Sequence, residues 1–178
     1  MHEYKINSAQ INEYATKLVA GDKVLLSGTV YTARDAAHKR FIDLIKSGKP
    51  LPFQINGASV YYAGPTPTPK SLCIGSCGPT TSSRMDPYSP TLLDLGLKCM
   101  IGKGPRSNNV VESIKNNSAV YLCAIGGAGA LAAKCITSCE VIAFDELGCE
   151  SVKKLTFKDF PLIVGIDCNG GSLFEKVN

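Results

Sequence analysis

Short apolar runs alternate along the chain with segments whose apolar side chains recur every three or four positions. The first pattern predicts buried strands, and the second predicts amphipathic helices. Strands are expected at residues 23–30, 97–101, 119–125, 141–144 and 162–166. Helices are expected at residues 8–18, 33–47, 89–96 and 110–116, with a last helix that ends near residue 136. Strands that alternate with helices indicate crossover connections, so we predict an α/β fold with a mixed sheet.

Turn and cap residues refine this pattern at two places. Asn56-Gly57 separates two strand-like stretches at residues 53–55 and 58–62, which predicts an antiparallel hairpin. Thr32 precedes the helix expected at residues 33–47 and is predicted to be its N-cap. No long linker interrupts the chain, so residues 1–178 are expected to form one domain.

Composition narrows the classes of function. The net charge is only +4, the 19 basic residues are scattered, and seven Tyr and six Phe offer few rings for stacking on bases. These features argue against a nucleic-acid surface and favour a small acidic ligand. No apolar run approaches ~20 residues and the N-terminus lacks an apolar signal-peptide run. We therefore expect no membrane association and a cytoplasmic location.

The eight cysteines need an explanation, because thiols stay reduced in the cytosol. Cys73 and Cys77 are separated by three residues, as are Cys135 and Cys139. This spacing is typical of neither a zinc site nor an iron–sulfur cluster. We therefore expect no metal ligands in this chain and interpret the cysteines as small core or loop residues.

Residues 28–40 change from a strand-like to a helix-like pattern where charged side chains crowd together. Arg34 would lie at the N-terminal end of the helix, where a cation opposes the helix dipole. A bound carboxylate would explain this cation, because a planar guanidinium binds carboxylate through two hydrogen bonds. His38 follows one helical turn later and is predicted to be a supporting donor. The alternative is an ordinary solvated helix face that also includes Asp35.

Residues 78–86 form a second polar segment that opens with Gly-Pro. Arg84 is predicted to hold a second carboxylate, while Thr80 and Thr81 bring hydroxyl groups near the reacting carbon. Asp86 could cap the turn that follows. The alternative is a turn rich in Ser and Thr that satisfies its own backbone. Lys103 lies between two glycines at a predicted strand end. We expect the two polar segments, residues 28–40 and residues 78–86, to share one pocket.

Residues 127–132 read Gly-Ala-Gly-Ala-Leu-Ala between a predicted strand and a helix, which matches the dinucleotide fingerprint in its Ala-ended form. The match comes late in the chain, whereas the fold expects it on the first strand of a larger sheet. A nucleotide- or anion-binding module around Gly127 and Gly129 is therefore the alternative function. The simpler interpretation is that these glycines permit close helix packing.

Several motifs occur in an order that resembles the β subunit, or C-terminal domain, of class I fumarases and the related tartrate dehydratases. They lie at residues 25–40, 62–65, 78–86, 102–104, 124–131 and 146–148. The resemblance implies a swivelling β/β/α domain. It also implies the β subunit of a two-subunit iron–sulfur hydro-lyase, inactive alone, that reversibly hydrates fumarate to L-malate. Tartrate or a methylated dicarboxylate is the alternative substrate.

The resemblance also implies roles for individual residues. Thr80 corresponds to the proton-abstracting base and Lys103 to a catalytic cation. Arg34, Thr81 and Arg84 correspond to substrate contacts. Asp35, His38 and Asp86 are expected to support them. The 4Fe–4S cluster is expected on a partner α subunit rather than on this chain, in a heterotetramer of two α and two β chains, with a homo-oligomer expected for the isolated chain.

Overall fold

The computed structural model describes residues 1–70, 72–125, 127 and 129–174. Within these residues the strands are β1 (Glu3–Asn7), β2 (Lys23–Thr32), β3 (Ser59–Tyr61), β4 (Cys99–Gly102), β5 (Val120–Cys123), β6 (Ile136–Ala143) and β7 (Val152–Ile166). The α-helices are α1 (Ile11–Tyr14), α2 (Asp35–Lys46), α3 (Ser89–Asp94), α4 (Asn108–Asn116) and α5 (Gly129–Cys135). Short 3-10 turns cover Ser8–Gln10, Ser82–Met85 and Asp145–Glu150.

The strands form one mixed, barrel-like sheet in the order β1-β2-β3-β4-β5-β7-β6. Strands β1 to β5 pair in parallel, whereas β7 runs antiparallel to β2, β5 and β6. Because β7 also pairs with β2, the strands β2, β3, β4, β5 and β7 close on themselves. The prediction of a mixed α/β fold is confirmed.

The central parallel strands are buried on both faces. Tyr61 of β3 and Leu122 of β5 belong to one apolar cluster, whereas Val60 and Tyr121 of the same strands belong to another. The second cluster also contains Phe41 of α2, so this helix covers that face of the sheet. Strands covered on both faces consist almost entirely of apolar residues, which explains why β4 and β5 are visible as apolar runs in the sequence.

Strand β7 is much longer than the predicted strand at residues 162–166. Its 15 residues pair with β2 on one edge, and with β6 and then β5 on the other. Lys154 and Lys158 are exposed in its first half, where they interrupt the apolar pattern. Edge strand β1 was also missed, because only Ile6 of its five residues is buried.

The predicted hairpin is wrong. Residues 53–55 form no strand, and β3 pairs in parallel with β2 and β4, which occupy both of its edges. Asn56-Gly57 does form a turn, in which Gly57 has a φ of 76°. The Gly57 N–H donates to the Gly96 carbonyl at 2.9 Å, which ties this turn to the end of α3.

The predicted N-cap of α2 is also wrong. Thr32 is the last residue of β2, and its hydroxyl donates to the Ser151 carbonyl and accepts from the Lys153 N–H. Arg34 takes the position before the helix, with extended backbone and no capping bond from its side chain. A side-chain acceptor from another part of the chain accepts a hydrogen bond from an amide at the start of α2.

None of the helices in the described part of the chain has both the length and the apolar character needed to cross a membrane.

Candidate active site

The polar motifs come together where three parallel strands end. The chain leaves β2 toward Arg34, β3 toward Gly64 and β4 toward Lys103. Thr32 pairs with Tyr61, and Tyr61 pairs with Ile101, so these exits lie side by side. Ligands bind at the carboxyl ends of parallel strands both in open α/β sheets and in closed α/β barrels. This end of the sheet is therefore the candidate site.

The segment at residues 78–86 crosses the same end of the sheet. Pro79 forms an antiparallel bridge with Ala63, and Thr81 forms a parallel bridge with Lys103. Between them, the Thr80 N–H donates to the Tyr62 carbonyl at 2.7 Å. Backbone hydrogen bonds thus place Thr80 and Thr81 between the ends of β3 and β4. Thr80 and Lys103 are half-buried and Thr81 is exposed.

An ion pair joins the two segments that were predicted to share a pocket. The Arg84 Nε donates to Asp35 Oδ1 at 2.8 Å, and the side chains are 52% and 30% exposed. Asp35 Oδ2 is buried and has no hydrogen-bond partner among the described residues. Asp35 therefore orients Arg84 while its second oxygen retains bonding capacity. The roles assigned to both residues stay predictions.

Arg34 lies against the chain that leaves β3. A Cβ at Gly64 would lie 3.0 Å from both Cδ and Nη1 of Arg34, so a larger residue would displace the guanidinium. Arg34 Nη2 is 3.5 Å from Glu150 Oε1, and Arg34 Nε is buried without a partner in the described structure. The guanidinium is thus held at one edge, while its buried Nε has no acceptor among the described residues.

Glu150 is one of the residues that sequence reasoning missed. It ends the 3-10 turn Asp145–Glu150, and its Oε2 accepts from the Ala36 N–H at 3.0 Å. One carboxylate therefore caps the start of α2 and neutralises Arg34, which resolves the unfavourable placement of a cation at a helix N-terminus. The position lies two residues after the 146–148 motif, but nothing in the sequence indicates that Glu150 reaches residue 36.

His38 supports Arg34 from inside the fold. Its side chain is fully buried beside the rings of Tyr62 and Tyr88. His38 Nδ1 donates to the Arg34 carbonyl at 2.8 Å, since a carbonyl can only accept. Burial lowers the pKa of His38 to about 4, so the ring is neutral at pH 7. Its location agrees with a supporting donor, although the function of that support stays a prediction.

Asp86 faces a different arginine. Its Oδ1 accepts from Arg106 Nε and its Oδ2 accepts from the Ser107 N–H, each at 2.7 Å. Ser107 is the N-cap residue of α4, so Asp86 fixes the start of that helix. The Arg106 guanidinium is buried 5.3 Å from the Tyr62 ring centroid and 5.1 Å from that of Tyr121. Sequence reasoning did not identify Arg106, because nothing in the sequence around this arginine indicates that its side chain is buried.

The two described glycines near residue 127 differ: Gly129 serves packing, whereas Gly127 has a φ of 78° and nothing within 4 Å of a Cβ placed on it. The Cys77 N–H donates to the Gly129 carbonyl at 3.0 Å, and a Cβ at Gly129 would collide with Ser76 Oγ. The dinucleotide fold places its helix between two neighbouring parallel strands, whereas β7 separates β5 from β6 here. The topology does not match a dinucleotide site. Gly126 and Ala128, which belong to the motifs in this segment, lie outside the described residues.

The cysteines form no metal centre in the described ranges. These residues contain no group of three His, Cys, Asp or Glu side chains that could hold a metal ion. Burial raises the pKa of Cys77 and of Cys99 to about 12, so both remain thiols. The described side chains therefore do not fit an iron–sulfur cluster, and its location on a partner stays a prediction.

Comparison with known proteins identifies the family. Residues 1–177 match the family model described as the fumarase C-terminus. The chain belongs to this family. It is 38% identical over 183 residues to a Methanocaldococcus jannaschii protein provisionally named L(+)-tartrate dehydratase subunit beta. That match covers 99% of this chain and 93% of the relative.

Two fumarate hydratases show the same relationship over part of their length. The anaerobic class I fumarate hydratase of Escherichia coli K12 is 37% identical over 171 residues, which is 95% of this chain. Fumarate hydratase 2 of Leishmania major is 36% identical over 169 residues, which is 94% of this chain. This fumarase C-terminal chain spans 30% of the length of each. The resemblance stated from the sequence motifs is confirmed.

Proposed function

We propose that the chain is the β-type subunit of a two-subunit hydro-lyase that reversibly hydrates fumarate to L-malate. The observation that carries the proposal is the ion pair of Arg84 with Asp35, the residue that follows Arg34. It brings two cations to the same end of the sheet in a member of the fumarase C-terminal family. A dicarboxylate has two anionic groups, and two arginines suit it better than they suit a single anion.

The two arginines have different tasks in this proposal. Arg34 is the more buried, with 21% of its side chain exposed against 52% for Arg84. In this proposal Arg34 therefore holds the inner carboxylate, and Arg84 holds the outer one. Thr81, which is exposed, donates a hydrogen bond from its hydroxyl to the bound substrate. These contacts orient the substrate over the half-buried Thr80 and Lys103.

Thr80 and Lys103 carry the proton chemistry. In the dehydration direction a base removes a proton from the carbon next to one carboxylate, and hydroxide leaves from the neighbouring carbon to give fumarate. The hydroxide takes up one proton to become water and the base releases the proton that it removed, so the net products are fumarate and water. We assign Thr80 as that base. An alkoxide is very basic, so cations near Thr80 must stabilise it, and our candidate is Lys103, which is bridged to the neighbouring Thr81. Lys103 also stabilises the charge that develops on the carboxylate.

The iron–sulfur cluster that the resemblance implies is assigned to a partner α subunit, and this chain alone is then inactive. The name of the Methanocaldococcus relative as a subunit beta supports a separate partner. We further propose an assembly of two α and two β chains in the cytoplasm.

Tartrate dehydration is the second candidate function. It is favoured by the relative provisionally named L(+)-tartrate dehydratase subunit beta, which is matched over 93% of its length. Arg34 and Arg84 would serve this reaction equally well, because they bind carboxylates rather than the carbon atoms between them.

Anaerobic reconstitution with a candidate α subunit tests the proposal. L-malate and L(+)-tartrate are offered separately, with fumarate followed by its absorbance and oxaloacetate by a coupled assay. Turnover of malate only when both chains are present is expected. Turnover of tartrate alone would favour the second candidate. Activity of this chain without a partner, or no turnover of any dicarboxylate by a cluster-loaded complex, would contradict the proposal.

A further inference from the structure

We propose that Ser82 and Tyr121 act as positioning residues for Lys103. We call the two side chains the lysine clamp. The inference rests on the proposed function, because it concerns the residue assigned there to charge stabilisation. Neither residue was named as a site residue from the sequence, although Ser82 lies within the motif at residues 78–86.

Ser82 binds the backbone of Lys103 on both sides. The Lys103 N–H donates to Ser82 Oγ at 3.0 Å, and the Ser82 N–H donates to the Lys103 carbonyl at 3.0 Å. Ser82 is fully buried, and a Cβ at Gly102 would collide with its Oγ. The glycine before Lys103 thus allows the serine hydroxyl to approach the end of β4. One residue therefore fixes both polar groups of the Lys103 backbone.

Tyr121 closes the clamp from the neighbouring strand. Its hydroxyl lies 2.9 Å from Ser82 Oγ and 2.9 Å from the Gly104 carbonyl oxygen. Its single proton is donated to the carbonyl, which can only accept, and the other contact is a hydrogen bond between the two hydroxyl groups. Lys103 and the residue after it are therefore both held in place. Tyr121 is itself fully buried on β5, and its ring lies under the Arg106 guanidinium. The hydroxyl is thus anchored to a rigid strand rather than to a loop.

The clamp fixes the position of the Lys103 backbone relative to Thr80 and Thr81. Ser82 directly follows these threonines, so the bonds that hold Lys103 also hold the segment that carries them. Catalytic groups work best when rigid elements fix them, and a displacement of about 1 Å can cost ~100-fold in rate. Loss of the clamp should therefore impair catalysis more than substrate binding.

Tyr61 provides a matched control. Its hydroxyl is also buried and donates to a backbone carbonyl, that of Cys77, at 2.7 Å. It lies on β3 and contributes to the opposite face of the sheet from Tyr121. Tyr61→Phe and Tyr121→Phe each remove one buried hydroxyl, so their costs in stability should be similar. They differ in whether the lost hydroxyl contacts the Lys103 segment.

Steady-state kinetics of the reconstituted complex provide the first test. Tyr121→Phe should lower kcat about tenfold, because a lost hydrogen bond of roughly 1.4 kcal/mol in the transition state corresponds to that factor. KM should change less than about twofold, and Lys103→Met should show the same pattern with a larger loss. Equal kcat values for Tyr121→Phe and Tyr61→Phe would overturn the proposal.

Amide hydrogen exchange in the full chain provides a second test that needs no activity. Ser82→Ala and Tyr121→Phe should each accelerate exchange at the Lys103 N–H, while Tyr61→Phe should leave it unchanged. Unchanged Lys103 exchange in both clamp variants would overturn the proposal even if their activity fell. If the wild-type complex has no turnover, the proposed function fails, whereas the exchange result still decides whether the clamp exists.

Discussion

Two arginine–carboxylate pairs with nearly the same geometry have different surroundings. Arg84 Nε lies 2.8 Å from Asp35 Oδ1, and Arg106 Nε lies 2.7 Å from Asp86 Oδ1. The side chains of the first pair are 52% and 30% exposed, whereas those of the second are 0% and 12% exposed. A solute can reach the first guanidinium but not the second.

The partners of each pair explain the difference. Arg106 also donates to Ser89 Oγ at 2.7 Å and lies over two aromatic rings, so the fold uses much of its bonding capacity. Asp35 keeps one buried oxygen without a partner among the described residues. The same two residue types therefore stabilise the fold in one place and form a candidate binding surface in the other.

The largest effect is expected at the buried pair. Arg106→Met should lower the free energy of unfolding by about 3–5 kcal/mol, because it leaves the Asp86 carboxylate without its charged partner. Urea denaturation of the full chain measures this loss. The double variant Asp86→Asn/Arg106→Met removes both charges and should recover part of it. A loss below about 1 kcal/mol for Arg106→Met would show that the buried pair is not structural.

For the exposed pair, we expect a small effect on stability and a large effect on activity. Arg84→Ala should change the free energy of unfolding by less than about 1 kcal/mol, since exposed ion pairs contribute little. In the reconstituted complex its kcat/KM should fall by roughly 100-fold or more, as expected for loss of a charged substrate contact. Steady-state kinetics and urea denaturation of the same variant provide both values. Unchanged turnover would remove Arg84 from the site.

The buried histidine behind Arg34 should make stability depend on pH. The unfolded chain binds a proton at His38 near pH 6.5, whereas the folded chain does not do so until about pH 4. The free energy of unfolding should therefore fall as the pH drops from 6.5 to 4, by an amount on the order of 3 kcal/mol. His38→Asn can keep a donor near the Arg34 carbonyl and should lack this part of the slope.

His2 is the matched control for that experiment, because its side chain is 78% exposed. Denaturation curves of His2→Asn across the same pH range should retain the wild-type slope. A His38→Asn variant with the wild-type pH dependence would mean that the folded protein already accommodates a charged ring.

The smallest effect is expected at Glu150. Glu150→Gln removes the charge that holds Arg34 but keeps an oxygen for the Ala36 N–H, so KM should rise about fivefold, or ~1 kcal/mol. Glu146→Gln is the control, because Glu146 makes a 3.5 Å ion pair with Arg40 in which both side chains are more than half exposed. Indistinguishable KM values for the two variants would separate Glu150 from the positioning of Arg34.

The sequence predicts strands best where both faces are buried. Strands β4 and β5 are apolar throughout, and their central residues were located correctly. Strand β1 and the first half of β7 place exposed side chains between buried ones, so no apolar run marks them. Asn56-Gly57 correctly predicts a turn, but its sequence cannot show that parallel neighbours occupy both edges of β3.

Prediction of the site residues from the sequence is limited in a similar way. Arg34 could be singled out because a cation at the start of a helix is unfavourable in isolation, and Arg84 because it stands in a polar loop. The ion pair that joins Arg84 to Asp35, the residue after Arg34, is visible only in the folded structure. Glu150 and Arg106 were missed because their partners lie more than a dozen residues away in the chain. Sequence distance says nothing about such pairings.

Inhibition by unreactive carboxylates tests the central claim, which is that this chain supplies the dicarboxylate contacts. The inhibition constants of succinate and propionate are measured for the reconstituted complex with wild-type chain and with Arg84→Ala. We predict that the wild type prefers succinate, and that Arg84→Ala loses about tenfold or more of this preference, as expected for one hydrogen-bonded charge. An unchanged preference for succinate would contradict the account, because the second carboxylate would then be bound elsewhere.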